Sequence, residues 1–230
     1  MMSKKRAFTL IELLVVISII ALLIGILLPT LGAARKTALR MKSNARVRGI
    51  LAACIQYSQS NQDSYPGLGK DEATYPTDFD HAGRRYQIML DGQFFTAEYI
   101  VSPAETSKTP NSSLMAGTPT NHFSYAMLQI GDSTADAGRR NEWAATLNSE
   151  APAIFDRETA AGTGTDARSI HSDTDWRGSV AYNDNHTLFE TNNLISNETR
   201  FGNTANATGT DDLFADEVLT VGYNADDNYE

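Results

Sequence analysis

Residues 8–28 form an almost unbroken run of large apolar side chains in which Glu12 is the only ionisable group. At about 1.5 Å per residue, a helix of these 21 residues is roughly 30 Å long, which matches the hydrocarbon core of a bilayer. A carboxylate in hydrocarbon costs on the order of 3 kcal/mol, so an acid inside such a run usually has a partner and a task. The run therefore predicts a membrane-spanning helix with a functional glutamate.

Two simpler interpretations of the run stay open. Lys4, Lys5 and Arg6 precede it, as in a secretory signal peptide, and residues 31–33 then resemble a small-residue cleavage site that would release a secreted protein. Alternatively, the run is a plain membrane anchor that displays a surface-binding domain. Neither interpretation explains the position of Glu12.

The start of the run carries a family resemblance. The sequence KRAFTLIE, residues 5–12, resembles the processing site of type IV prepilins and type II secretion pseudopilins. The resemblance implies that residues 1–7 are a leader, that a prepilin peptidase cuts between Ala7 and Phe8, and that Phe8 becomes N-methylated. Ala7 departs from the family, in which most members have Gly, and Pro29 falls where many members have a helix-kinking proline.

The resemblance also implies a task for Glu12, which becomes the fifth residue of the mature chain. In the family, the acid of one subunit meets the free amino terminus of a neighbour already in the filament. Burial of a charge is tolerable when an opposite charge neutralises it. An unpaired monomer is therefore penalised in the membrane and relieved on assembly.

Charge is divided unevenly along the 230 residues, whose formal net charge is −9. Residues 1–48 hold nine Lys or Arg and one acid, whereas residues 49–230 hold 10 Lys or Arg against 27 Asp or Glu, a net charge of −17. Nucleic-acid affinity depends on Lys and Arg that neutralise phosphates, so the sequence predicts no nucleic-acid partner.

Membrane topology is predicted differently by charge and by resemblance. Three basic residues precede the run and six follow it within residues 35–48, and a positive-inside count would keep the C-terminal side in the cytoplasm. The family resemblance implies a single-pass inner-membrane protein whose C-terminal domain is periplasmic or extracellular. We favour the second prediction, because the large acidic body is typical of an exported one.

Helical periodicity continues beyond the run, from Thr30 to about Gln62, so the sequence predicts one long helix with a kink at Pro29. Residues 8–28 are its membrane half and residues 29–62 its exported half. Cys54 has apolar neighbours on this helix and is predicted to be a buried, inert side chain.

Residues 63–230 are predicted to form a globular domain with an acidic, loop-rich surface. A short helix followed by an extended piece is expected in residues 86–101, and strands are expected at 123–130, 151–155, 179–190 (as a hairpin) and 218–221. A small antiparallel sheet packed on the exported half of the helix would bury the apolar faces of both. The predicted fold class is α+β with a pilin-like architecture.

The C-terminal half carries a second, weaker resemblance. Residues 152–157, His171 and residues 178–186 are similar to the signature of prepilin-like proteins with a His-x9-Asp-Gly motif. Here twelve residues separate His171 from Asp184, and Asn185 stands in place of Gly. Asn tolerates the left-handed conformation better than most residues, so a hairpin turn is still expected there.

Enzymatic chemistry has no support in the sequence, which lacks nucleophile-elbow, phosphate-binding and paired-cysteine motifs. The sequence predicts no cofactor, with a calcium ion as the one alternative. Its weak candidate ligands are Asp173, Asp175 and Asp184, near His171 and His186, because carboxylate oxygens suit hard cations.

The sequence thus predicts a structural subunit of a type IV pilus or a type II secretion pseudopilus. The implied partners are identical or related pilin subunits, prepilin peptidase, an inner-membrane assembly platform and membrane lipid. The released secreted protein and the anchored display protein remain the alternatives.

Overall fold

The computed structural model describes residues 9–68, 82–114, 119–128, 130, 137–160, 168–192, 194–196 and 210–212. Its longest element is helix α1, Leu10–Ser58, with 49 residues and Pro29 inside it. Contacts divide the chain into two compact units, residues 1–39 and residues 40–230.

Helix α1 ends at Ser58, four residues before the expected end. Gln62 and Asp63 both have a backbone φ of 59°, in the left-handed region that an α-helix cannot contain. Asn61 Nδ2 donates to the Tyr57 carbonyl at 2.7 Å, and the Asp63 amide donates to the Ser58 carbonyl at 3.1 Å. These bonds satisfy carbonyls that a longer helix would have used, so the chain turns there.

The first unit is helical from Leu10 onward, and every described side chain from residue 9 to 38 is exposed. Among the described residues, α1 is the one helix that is long and apolar enough to cross a membrane, judged by length and composition. Since bare apolar surface on this scale is unfavourable in water, this unit needs lipid or other apolar helices around it.

In the second unit, α1 turns a buried face toward the body. The buried side chains recur every three or four residues and include Val47, Ile50, Leu51 and Cys54. Cys54 is fully buried, as predicted, and burial raises the pKa of its thiol to about 12, so it is inert at neutral pH.

A four-stranded antiparallel sheet lies in the same unit. The described strands, in chain order, are β1 Tyr125–Met127, β2 Pro152–Asp156, β3 Glu158–Ala160, β4 Arg168–Ser169, β5 Gly178–Tyr182, β6 Thr187–Glu190, β7 Leu194–Ser196 and β8 Thr210–Asp212. The main sheet has the order β1-β2-β5-β6, while β3 pairs with β4 and β7 with β8. The strands expected at 123–130 and 151–155 are therefore confirmed, whereas 218–221 lies outside the described residues.

The expected hairpin in residues 179–190 is also confirmed, with β5 and β6 paired from Gly178↔Glu190 to Ala181↔Thr187. Its turn contains Asn185 at a φ of 68°, the left-handed conformation expected for Asn in place of Gly. The Tyr182 amide donates to the His186 carbonyl at 3.0 Å and closes the turn.

Sheet and helix enclose one hydrophobic core. Three strands contribute, with Tyr125, Phe155 and Val180 at 0% exposure, and two tryptophans, Trp143 and Trp176, fill the core. The long apolar helix and this small antiparallel sheet give the α+β, pilin-like layout that the sequence predicts.

Two shorter helices complete the described body: α2, Ala82–Asp91, and α3, Ala137–Glu142. The extended piece expected after α2 is wrong, since residues 97–100 form a 3₁₀-helix, Ala97–Ile100. Gln93 adopts a φ of 58° and the Phe94 amide donates to the Met89 carbonyl at 3.0 Å, so the chain reverses directly after α2 instead of extending.

Candidate functional site

The beginning of α1 holds the first predicted site residue, Glu12. Ala7 and Phe8 lie outside the described residues, and Thr9 directly precedes the first helical residue. Glu12 Oε2 accepts hydrogen bonds from the Thr9 backbone amide at 2.8 Å and from Thr9 Oγ1 at 2.7 Å, while the Glu12 amide donates to Thr9 Oγ1 at 3.3 Å. This reciprocal pairing is a capping box.

The capping box gives Glu12 a structural task within its own chain. It satisfies amides at the helix start that have no intrahelical partner, and it places a negative charge at the positive end of the helix dipole. The sequence analysis missed this role, although Thr-x-x-Glu directly before an apolar periodic run is its usual signal. Thr9 is therefore a helix-capping residue that the predictions did not include.

Apolar side chains surround Glu12 along the helix. Leu10 is 80% exposed and Ile11 74%, and the large apolar residues that follow, up to Leu31, are at least 47% exposed. The Glu12 carboxylate thus lies at one end of the exposed apolar part of α1, residues 10–31, which we call the apolar rod. An acid in this place is suited to contact with a cation that arrives in the same apolar environment.

Pro29 lies inside α1, where it has no backbone N–H to donate to the Gly25 carbonyl. An added Cβ at Gly25 or Gly32 would meet nothing within 4 Å, so neither glycine is required by a close contact within the described chain. The kink at Pro29 stays a prediction.

Hydroxyl groups along α1 donate hydrogen bonds to backbone carbonyls of the same helix. Ser18 Oγ donates to the Val15 carbonyl at 2.8 Å, Thr30 Oγ1 to the Leu27 carbonyl at 2.9 Å, and Thr37 Oγ1 to the Ala33 carbonyl at 3.2 Å. Within residues 8–28, the predicted membrane half, water offers no partner, and the internal bond makes the Ser18 hydroxyl tolerable there.

Two of the three acids predicted as metal ligands, Asp175 and Asp184, are hydrogen-bonded to nearby residues. Asp175 accepts hydrogen bonds from the Arg177 guanidinium at 2.7 and 2.8 Å and from the Ser172 hydroxyl, and these bonds lower the pKa of its carboxyl to about 2. Asp184 Oδ1 accepts the His186 amide at 2.9 Å within the hairpin turn, and Asp173 is exposed.

No group of three or more His, Cys, Asp or Glu side chains comes together within the described part of the chain. The structure therefore does not gather Asp173, Asp175 and Asp184 into a ligand shell, and both carboxylate oxygens of Asp175 already accept hydrogen bonds. Calcium binding stays an untested prediction.

His171 belongs to a buried polar network instead. Its Nε2 lies 3.1 Å from Asp156 Oδ2, and the same carboxylate accepts Ser43 Oγ at 2.8 Å and the Ser179 amide at 2.7 Å. Asp156 is fully buried and joins α1, β2 and β5. Sequence reasoning missed Asp156, whose signal is an acid at the end of an apolar strand.

Comparison with known proteins identifies the N-terminal segment. The family model for the prokaryotic N-terminal methylation motif matches residues 2–28, which include Ala7, Phe8 and Glu12. No curated protein and no solved structure shows significant similarity to the chain. The chain therefore carries, at residues 2–28, the hallmark of type IV prepilin-like proteins, which are structural and not enzymatic.

Proposed function

We propose that this protein is a structural subunit of a type IV pilus or a type II secretion pseudopilus, polymerised through its N-terminal helix. The observation that carries the proposal is the coincidence of the methylation motif with a capped, bare apolar helix that holds one acid. Prepilin peptidase cuts between Ala7 and Phe8 and methylates Phe8. Related pilin subunits and an inner-membrane assembly platform are its partners.

In this proposal the subunit crosses the inner membrane once, and its acidic domain is periplasmic or extracellular. During assembly, the carboxylate of Glu12 neutralises the amino group of Phe8 on a neighbouring subunit. In an apolar setting, removal of either charge leaves the other one buried without a counter-charge, which strongly destabilises the assembly. The monomer in the membrane therefore lowers its free energy by joining the filament.

Sequencing the mature amino terminus tests the processing step. N-methylated Phe8 is the expected result. A start near Ala34 would instead support a protein released by signal peptidase, and an intact Met1 would support a display protein on an uncut anchor.

Substitution of Glu12 tests the assembly step. Glu12→Gln keeps an acceptor for the capping box, since Gln also serves there, but removes the charge. We expect filament incorporation to fall at least tenfold, because a lost buried pair costs about 3 kcal/mol or more. The measurement is the filament-bound fraction of a tagged chain.

Thr9→Ala is the matched control, because it weakens the cap by about 1 kcal/mol and keeps the charge of Glu12. Near-normal incorporation is expected for this variant. Equal incorporation of wild type and Glu12→Gln would contradict the assembly role and favour simple display.

Deletion of the gene in its native host distinguishes a pilus subunit from a pseudopilus subunit. Loss of surface filaments indicates a pilus subunit, whereas loss of protein export without a change in surface filaments indicates a pseudopilus subunit.

A further inference from the structure

Beyond the apolar rod, α1 carries exposed basic side chains that no described residue of the body neutralises. Lys42 and Arg48 are exposed, and among the described residues neither makes an ion pair, a hydrogen bond or a ring contact. By contrast, Arg40 of the same helix lies over the Phe189 ring, 4.8 Å from its centroid. Two exposed cations that no described acid neutralises are candidates for a contact with an acidic surface of another molecule.

Distance along the helix argues against membrane lipid as that partner. In the proposed function the hydrocarbon span is residues 8–28, and at about 1.5 Å of helix per residue the chain to Lys42 and Arg48 adds roughly 21 and 30 Å of helix length. The headgroup layer adds about 5 to 8 Å, and the Debye length in physiological salt is about 8 Å. This length of helix exceeds the combined thickness of the headgroup layer and its screened charge, which favours a protein partner over lipid.

An acidic groove on the body is the complementary surface. Its volume is about 780 Å³, and it is lined by Asp91 and Glu98 together with apolar groups that include Leu90 and Phe95. No Lys or Arg is among its described lining residues. Hydrogen bonding from Thr96 lowers the pKa of the Glu98 carboxyl, so that group is ionised at neutral pH.

The groove suits a long cationic side chain. The methylene stem of Lys or Arg packs on apolar groups while the charged end reaches a carboxylate. Asp91 and Glu98 are both exposed, and no described cation pairs with either of them. A second copy of this chain supplies such side chains at Lys42 and Arg48.

We propose that Lys42 and Arg48 of one subunit bind the groove at Asp91 and Glu98 of a neighbouring copy. Basic side chains of one copy that meet a different, acidic surface of the next copy make a heterologous contact, which builds an open filament unless its rotation closes a ring. It therefore fits a filament. This inference rests on the proposed function, and it adds a contact between bodies to the contact between rods.

Charge reversal in the full-length chain tests the contact. Lys42→Glu with Arg48→Glu is expected to lower filament incorporation about 5- to 30-fold, as for two exposed ion pairs of up to about 1 kcal/mol each. The fourfold variant that adds Asp91→Lys and Glu98→Lys is expected to restore incorporation. Arg168→Glu, an exposed reversal on β4, is the control and is expected to change nothing.

Crosslinking locates the contact directly. Two differently tagged full-length chains, one with Lys42→Cys and one with Glu98→Cys, are co-expressed, and a mixed disulfide dimer is expected. Unchanged unfolding temperatures of the variants show that their bodies are folded.

Normal incorporation of the reversed variant, or a fourfold variant that is not restored, would overturn the inference. The inference would also be overturned if filament incorporation depended on the anionic-lipid content of the membrane and not on the charge of the groove. Failure of the proposed function looks different, because the wild type itself would then lack N-methylated Phe8 and filaments.

Discussion

Asp156 shows how one buried residue holds three elements together, its own strand β2, helix α1 and strand β5. Its carboxylate accepts hydrogen bonds from Ser43 on α1, from the Ser179 amide on β5 and from His171. We expect Asp156→Asn to lower the free energy of unfolding by about 2 kcal/mol, because the amide nitrogen cannot accept these bonds and stays buried. Denaturant unfolding of the detergent-solubilised chain measures the loss.

Asp175→Asn is the matched control, since Asp175 lies on a partly exposed loop, where a lost ion pair costs at most about 1 kcal/mol. Equal losses for the two variants would show that the buried network does not stabilise the body.

Lys108 gives the body a pH dependence. Burial, together with the nearby Arg157, lowers the pKa of its ammonium group from 10.5 to about 8. Between these values the unfolded chain keeps a proton that the folded chain has released, so this group makes stability rise with pH from about 8 to 10.5. We expect wild type to gain stability relative to Lys108→Met over this window, measured as the difference between their unfolding free energies.

The comparison with Lys108→Met is needed because Cys54 and the buried tyrosines act in the opposite direction. Their raised pKa values make stability fall at high pH in both chains, so their effect cancels in the difference. Lys42→Met, at an exposed position, is expected to leave the pH profile unchanged. A flat difference between wild type and Lys108→Met would contradict the role of Lys108.

At the scale of elements, the 3₁₀-helix Ala97–Ile100 lies against α1 at a glycine. A Cβ added to Gly49 would come within 2.1 Å of Tyr99 Oη, which donates a hydrogen bond to the Ala45 carbonyl. Ala is the better helix former by about 1 kcal/mol, yet we expect Gly49→Ala to lower the melting temperature by about 2 to 4 °C. The displaced tyrosine outweighs the gain in helix propensity.

Gly32→Ala is the control for this change, because a Cβ there meets nothing within 4 Å. Thermal unfolding is expected to show no loss for that variant. A Gly49→Ala chain as stable as wild type would mean that Tyr99 moves aside at no cost.

The sequence predicted the elements whose signals are local. The apolar run, the alternation of the strands and the turn at Asn185 are read directly from neighbouring residues, and all three are found. The end of α1 and the 3₁₀-helix Ala97–Ile100 were predicted wrongly. Both follow turns at residues with a left-handed backbone, Gln62, Asp63 and Gln93, and residue type alone does not predict that conformation at these positions.

At the scale of the whole molecule, the candidate site was predictable only in part. Glu12 stood out because an acid inside an apolar run is costly wherever the chain folds. The network at Asp156 was not predictable, since long-range packing brings together Ser43, His171 and Ser179, which are distant in the sequence. The groove is lined mostly by one segment, residues 90–98, but its shape depends on the turn at Gln93 that the sequence analysis did not predict.

The hydroxyl groups of α1 that bond to carbonyls of their own helix affect how such a subunit would pass from the membrane to a filament. Ser18, Thr30 and Thr37 bond to carbonyls of their own helix, and the first turn is closed by Thr9 and Glu12. In the proposed function, the pair between Glu12 and a neighbour's amino terminus is then the one polar contact that the described part of this helix gains when lipid around it is replaced by neighbouring helices. The rest of its transfer from bilayer to filament exchanges one set of apolar contacts for another.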